Sequence, residues 1–451
     1  MAHITRREFL RVAGLAAAGA GFACRPGEKS PSGGSATGGG KERTTLRIMQ
    51  WTHFVPAYDA WFDQEYTKQW GEKNNVEVIV DHVAFAELPT VAAAEVERQD
   101  GHDLFWFLSP RPALEDQVID HAEVVQEVEG KVGKMSDLVR RSTYNPKTGK
   151  FFGFSDTWAP DPVHWRTDLW EQAAPGMKPD SWDDIRRAGA ALKKGGHPIG
   201  IGMSQDIDAN MALMSLMHSF GAYLQTEDSK VAINSKETID AVKFGAELYR
   251  TGMENAVLSW DARSNNDYLA SGKGSLILNA VSALRTIEKN NKDLAAKVAL
   301  AKLPMGPVQR LGLEHVMGVY VIWKFAKNQE MAKKFLVDLV ANYRDAFVKS
   351  ESYNVPSFPG SVKDAATLLG EDKISDPADK LAVLADAEKW STNVGHPGST
   401  NAAVDQVFYD YLIPQMFGQV ATGEQTAEES VKATEARMKT IYEAWRGRGK
   451  I

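Results

Sequence analysis

Ser204, Lys273 and the histidines are the side chains whose types could carry a reaction, and none stands in a spacing that serves one. Ser204 lies in Gly202-Met203-Ser204-Gln205-Asp206, which lacks the second glycine of a nucleophile elbow. Gly272-Lys273-Gly274-Ser275 has no glycine five residues before its Gly-Lys pair, and Gly274 stands where a Ser or Thr would meet magnesium. The 10 histidines are scattered, with no pair at metal-ligand spacing on one helix. Among 59 acidic residues nothing selects the two facing carboxylates of a glycosidase. The expectation is therefore a protein with no catalytic step, metal or cofactor. Binding chemistry is better supplied. Trp51 to Phe54 and Phe107 to Arg111 each follow a candidate strand and put aromatic rings beside hydrogen-bonding groups. In open parallel sheets, ligands sit beyond the carboxyl ends of strands, which is where both stretches fall.

The elements that must position them alternate between strand and helix patterns. Leu46 to Trp51 reads as a strand, and Tyr58, Trp61, Phe62 and Tyr66 follow at helical spacing behind Pro56, which suits a first helical turn. Val76, Val78 and Val80 alternate with polar residues as a second strand would, and Asp103 to Leu108 is a third. This β-α-β-α-β order predicts a parallel sheet with helices on its faces. Ser181 before Trp182, Asp183 and Asp184 predicts a helix start, closed by Gly195 and Gly196. Thr426 to Glu429 is a capping box that opens a helix to about Trp445. Met331, Phe335, Leu336 and Leu339 give another helix one apolar stripe.

The first 43 residues stand apart. Arg6-Arg7, with Phe9-Leu10 two places on, resembles the twin-arginine export signal, and the apolar run behind it is too short to span a bilayer. Gly21-Phe22-Ala23-Cys24 resembles the lipobox of bacterial lipoproteins, whose cysteine is acylated, although Gly21 replaces the usual aliphatic residue. The other reading makes Cys24 an incidental small residue beside a signal-peptidase cut. As the one cysteine among 451 residues, Cys24 excludes any disulfide within the chain. Residues 25–43 carry Ser30, Ser32, Ser35 and runs of glycine, the composition of a flexible tether. A signal over residues 1–24, a tether over 25–43 and an extracytoplasmic protein held at a membrane through Cys24 are the expectations. Roughly 400 residues remain, more than one hydrophobic core usually serves, so two lobes are expected. The net charge of −7 argues against a nucleic-acid partner, which calls for a basic stripe.

The order of segments resembles the extracellular solute-binding proteins of sugar-type ABC importers, such as the maltose and multiple-sugar binders. The blocks that carry the resemblance are Trp51 to Phe54, Gly101 to Phe107, Lys150 to Ser155, Trp165 to Trp170 and Lys178 to Asp184. Tyr268 to Asn279, Leu303 to Pro307 and Lys327 to Leu336 continue it in the family's order. The resemblance implies a two-lobed periplasmic-binding-protein-like α/β fold, each lobe a mainly parallel sheet flanked by helices and joined by crossing segments. Its layout puts residues 44–157 plus 308–355 in the first lobe and 158–307 plus 356–451 in the second. It also implies capture of a mono- or oligosaccharide by hinge closure, and delivery by a monomeric binding protein to permease subunits in the membrane.

A sugar needs donors and acceptors for its hydroxyls and aromatic rings for its C–H faces. At the positions matching the family's cleft stand Trp51, His53, Phe54, Phe107 and Ser109 in the first lobe, and Asp156 and Trp158 at the first crossing. Gln205, Asp206, Trp260, Asp261 and Asn279 match from the second lobe, while Glu314, His315, Trp390 and His396 fall in segments that border the cleft. Ala280 and Val281 follow Asn279 where the family often has an aromatic. Each has a plainer reading as core or solvated turn. Trp51 is equally suited to core packing, strand parity makes Trp106 the buried neighbour of Phe107, and Trp260-Asp261 suits a solvated turn. Two other readings stay open. Asp156, Asp206, Asp261 and Glu314 among aromatics would suit a polyamine or another organic cation, and a tethered glycan-processing enzyme would be catalytic.

Overall fold

The computed structural model describes residues 43–451, so the expectations placed on Arg6, Arg7, Cys24 and the tether fall outside the described residues. Strand β1 (Thr44–Trp51) pairs in parallel with β2 (Val76–Val83) along its whole length and, on its other edge, with β3 (Leu104–Phe107). Between β1 and β2 the chain is helical from Pro56 to Asn74, with one wider π turn at Phe62–Tyr66. Pro56 occupies the first helical position, where its missing N–H costs nothing.

The first sheet then takes β4 (Phe154–Ala159), after which the chain crosses to a second sheet built of β5 (Val163–Arg166), β6 (Ile199–Gly200), β7 (Leu276–Leu278) and β8 (Val298–Ala301). It returns through the short β9 (Gly312–Leu313) into β10 (Val316–Ile322) and later β11 (Val355–Pro356), while β12 (Ser391–Thr392) pairs with β9. The strand orders are β11-β4-β10-β3-β1-β2 and β8-β5-β7-β6. Two α/β lobes result, as expected, but their sheets are mixed rather than mainly parallel. Parallel pairing within them is confined to β1 with β2, β1 with β3, and β6 with β7. The reason is topological. A strand that re-enters a sheet directly from the other lobe arrives running the opposite way, so β10 lies antiparallel to both β3 and β4, and β5 to both β7 and β8.

Local signals placed the helices. Helix α1 (Trp182–Lys194) starts with a complete capping box, the Ser181 hydroxyl accepting from the Asp184 amide and the Asp184 carboxylate from the Ser181 amide. Gly196 follows its end at φ 85°, a backbone that favours glycine. Helix α2 (Ile207–Ser219) is capped by Asp206 and buried over nearly all of its length. Helix α3 (Ser282–Asn290) follows β7, and α4 (Gln329–Ala341) buries its apolar stripe on the first lobe. Helices α5 (Ala402–Tyr409) and α6 (Ala427–Gly447) close the second lobe, the latter behind the Thr426 capping box. Among the described residues no helix is long and apolar enough to cross a membrane.

Candidate functional site

The segments crossing between the two sheets bring together residues far apart in sequence. His315 ends the return from the second lobe, and its amide bonds the Ala159 carbonyl at 2.8 Å. Its Nδ1 lies 3.2 Å from Asp161 Oδ1 and its Nε2 3.9 Å from Asp208 Oδ1. Asn265 donates to Asp208 Oδ2 at 2.8 Å, and Asn279 donates to the side-chain oxygens of Asn265 and Asn266 at 2.8 and 2.7 Å. A continuous polar chain thus runs Asn279–Asn265–Asp208–His315–Asp161. Burial alone would discharge His315, but its bond to Asp161 and the charges of Asp208, Asp161 and Asp206 outweigh it and raise its pKa. Burial pushes the Asp208 carboxyl up to about 7, with Asp206 and Asp161 adding to the rise and His315 opposing it.

The first lobe contributes an aromatic cluster around Trp51. Trp51, the last residue of β1, stacks on Trp106 with ring centroids 5.3 Å apart and planes 5° from parallel. Phe54 meets its edge at 5.1 Å, His53 lies at 4.9 Å and Tyr353 at 6.3 Å. Burial raises the pKa of the Tyr353 phenol, and the charges of Asp208 and Asp161 in the polar chain add to the rise. That hydroxyl is buried without a hydrogen-bond partner among the described residues. His53 accepts at Nδ1 from the Val55 amide at 2.9 Å and sits at Nε2 3.2 Å from Asn354 Oδ1, partners that suit a neutral ring; burial lowers its pKa to about 4. The loop is held from behind, since Asp59 accepts from the His53 amide at 2.9 Å and His82 bonds the Trp51 carbonyl at 3.0 Å.

The remaining expected residues fall into distinct places. Phe107 is buried beside Phe105 at 4.7 Å and Trp323 at 6.3 Å, so both it and Trp106 are interior and the parity argument separated them wrongly. Ser109 shares a 2.6 Å hydrogen bond with Tyr409 of the second lobe. Asp156 faces the interior of the first lobe, where the Tyr343 phenol donates to it at 3.0 Å, and burial pushes its carboxyl up to about 7. Trp158 lies within β4, opposite Met317 and Val355, and is 3% exposed. Asp206 spends one carboxylate oxygen on the amides of Asp208 and Ala209. Gln205 and Asp261 are exposed; Asp261 closes a turn by accepting from the Arg263 and Ser264 amides, both at 3.1 Å, the solvated-turn reading. Trp260 is half-buried against Tyr268 at 5.0 Å.

Glu314, Trp390 and His396 gather elsewhere. The Glu314 amide bonds the Thr392 carbonyl at 3.0 Å, His396 Nδ1 lies 2.8 Å from the Thr392 hydroxyl, and Trp390 donates to Asp386 at 3.2 Å. Arg141 is the charge that acts on both Glu314 and His396. This group adjoins the β9–β12 pair rather than the His315 chain.

Sequence reasoning missed Asp161, Asp208, Asn265 and Tyr353. Asp161 stands between two prolines and Asp208 inside a helix pattern, so neither has a local signal.

The sequence model of the bacterial extracellular solute-binding protein family matches residues 55–354. Binding proteins of Brucella abortus and Brucella suis are 23% identical over 209 residues, 46% of this chain. The chain spans about half the length of these curated relatives, 50%. Among solved structures, a Thermotoga lettingae ABC transporter solute-binding protein bound with α-D-tagatose superposes with a TM-score of 0.73 at 18% identity, over 88% of this chain and 100% of that one. A maltose-bound T. maritima protein gives 0.71 at 17%, over 88% and 100%. A sugar transporter of Arthrobacter chlorophenolicus with laminaribiose gives 0.72 at 15%, over 88% and 99%. These identities carry the fold. With the family match over most of the described residues and the two-lobed fold, the chain belongs to the bacterial extracellular solute-binding proteins.

Proposed function

We propose that this protein is the solute-binding component of an ABC importer, capturing a mono- or oligosaccharide between its lobes and delivering it to the permease subunits. The observation that supports the reading is that the crossing segments gather Asp161, His315, Asp208, Asn265 and Asn279, and that Asp208 and Asp161 act on the unpartnered phenol of Tyr353, which packs with Trp51 and Phe54 in the first lobe. Aromatic faces suit the C–H surface of a sugar ring, and alternating donors and acceptors suit its hydroxyls. The family and the sugars named with the similar structures support the same class. Closure follows when the solute contacts both lobes, because only differential affinity for the closed form shifts the equilibrium.

The binding-protein family supports binding without turnover. Asp156, counted towards a cage for an organic cation, is committed to Tyr343, which favours the neutral sugar. The division expected from sequence, 44–157 plus 308–355 and 158–307 plus 356–451, is proposed here with its first boundary moved from 157 to Ala159, where the strand of the first sheet ends. Export through the paired arginines, anchoring through Cys24 and action as a monomer complete the reading. A Cys24→Ala variant is expected to leave the membrane fraction. The binding test is a thermal-stability screen against sugars, polyols, polyamines and amino acids, with glycoside hydrolysis assayed beside it. A solute at 100 times its dissociation constant adds about 2.7 kcal/mol. A shift with sugars alone and no hydrolysis supports the reading; a shift with polyamines alone, or turnover, overturns it.

A further inference from the structure

Ser109 and Arg111 follow β3 of the first lobe, yet their side chains are engaged with helix α5 of the second. The Ser109 hydroxyl and Tyr409 phenol share their 2.6 Å bond, and the Arg111 guanidinium lies over the Tyr409 ring, 4.2 Å from its centroid. The Phe107 ring centroid lies 6.0 Å from the same guanidinium. Arg111 Nε is 3.5 Å from Asp405 Oδ2, and the Asp405 side chain is 4% exposed. Helix α5 packs on α6, which packs on the helix Lys236–Gly252 of the second lobe, so the contact joins the two lobes.

We propose that Ser109, Arg111, Asp405 and Tyr409 form a clasp that sets the energy of lobe closure whatever solute is bound. The clasp rests on the binding reading above for its purpose but not for its existence, since every atom in it belongs to the protein. A guanidinium over one aromatic ring, near a second and beside a buried carboxylate holds its position through charge, ring-face attraction and exclusion of water together. Such a contact has a direct consequence for affinity. A solute held by the closed form alone binds with its intrinsic dissociation constant divided by the closed fraction. Weakening the clasp therefore weakens binding of every solute by one common factor. A residue touching the solute would instead change the order of preference. Arg111 and Tyr409 are positioning residues in this sense, and Tyr409 takes up the Ser109 hydroxyl at a position matching the family's cleft.

The test uses the full chain with Cys24→Ala and spin labels on Lys68→Cys and Glu237→Cys, exposed positions on opposite lobes. Label distances are measured in the protein alone, and affinities for three carbohydrates are measured alongside. Arg111→Ala is expected to move the distances towards the open form and to weaken all three affinities by about tenfold with their order unchanged. Tyr409→Phe keeps the ring and removes the Ser109 bond, so it is expected to act in the same direction by about threefold and to fold normally. Distances unchanged in both variants overturn the clasp, as do affinity losses that differ among the carbohydrates by more than about threefold. The distance measurement needs no solute, so failure of carbohydrate binding and failure of the clasp are told apart.

Discussion

His315 Nδ1 stands 3.2 Å from Asp161 Oδ1, joining the two segments at which the chain passes from one lobe to the other. Both side chains are almost wholly buried, at 4% and 2% exposure, so neither meets bulk water in place of the other.

The His315 pair gives stability a defined dependence on pH. The folded protein holds the imidazole proton more tightly than the unfolded chain does. That contribution is fully present below about pH 6.5, the unfolded value, and is lost as pH rises through the raised folded one. The stability lost in His315→Ala, measured by denaturant unfolding, is therefore expected to be largest below about pH 6.5 and to shrink above it. A loss that grows with pH would show the imidazole to be neutral.

Asp156 gives the opposite kind of group, a buried carboxyl raised to about 7. Between about pH 4 and its folded value the unfolded chain is ionised and the folded one protonated, so wild-type stability falls over that window and levels above it. Asp156→Asn keeps an acceptor for Tyr343 and removes the titration. Its stability relative to wild type is expected to rise from pH 4 to 7, by an amount on the order of a few kcal/mol. A difference constant across that window contradicts the assignment.

Tyr353→Phe separates binding from packing. The phenol is buried without a partner among the described residues, so removing it leaves unfolding in the absence of solute unchanged or slightly harder. Its lost bond to a solute hydroxyl is expected to weaken sugar affinity by about tenfold, or ~1.4 kcal/mol. Calorimetric titration decides; unchanged affinity with lower stability would make Tyr353 a core residue.

Trp158→Ala is expected to destabilise the protein by about 3–5 kcal/mol, because the indole is an interior side chain of the first sheet. Thermal unfolding of the variant without solute checks this. A melting temperature near the wild-type value would return Trp158 to the cleft surface.

Legibility in the sequence followed the range of the interaction. The Ser181 and Thr426 caps, Pro56, and the valine alternation of β2 are settled within a few residues, and all were readable. The mixed sheets were not, since the direction of β10 depends on a return from the other lobe. In the candidate site, His53 and His315 were proposed through resemblance, whereas Asp161 and Asp208 acquire their surroundings from a histidine over 100 residues away in sequence. No local spacing records such a meeting. Aromatic identity also misled. Phe107, Trp158 and Trp390 had the right residue type for stacking on a sugar, and Trp51 is buried as they are, because the large apolar area that suits a sugar suits an interior equally.

The most direct test of the account is titration of the protein with carbohydrates by calorimetry, in wild type and in His315→Gln, which keeps polar atoms but cannot carry charge between Asp161 and Asp208. The account predicts a saturable one-to-one signal with a mono- or oligosaccharide, near −8 kcal/mol if the affinity is about micromolar, and weakened at least tenfold in the variant. Saturable binding of polyamines with none of sugars, or sugar binding that His315→Gln leaves intact, would contradict it.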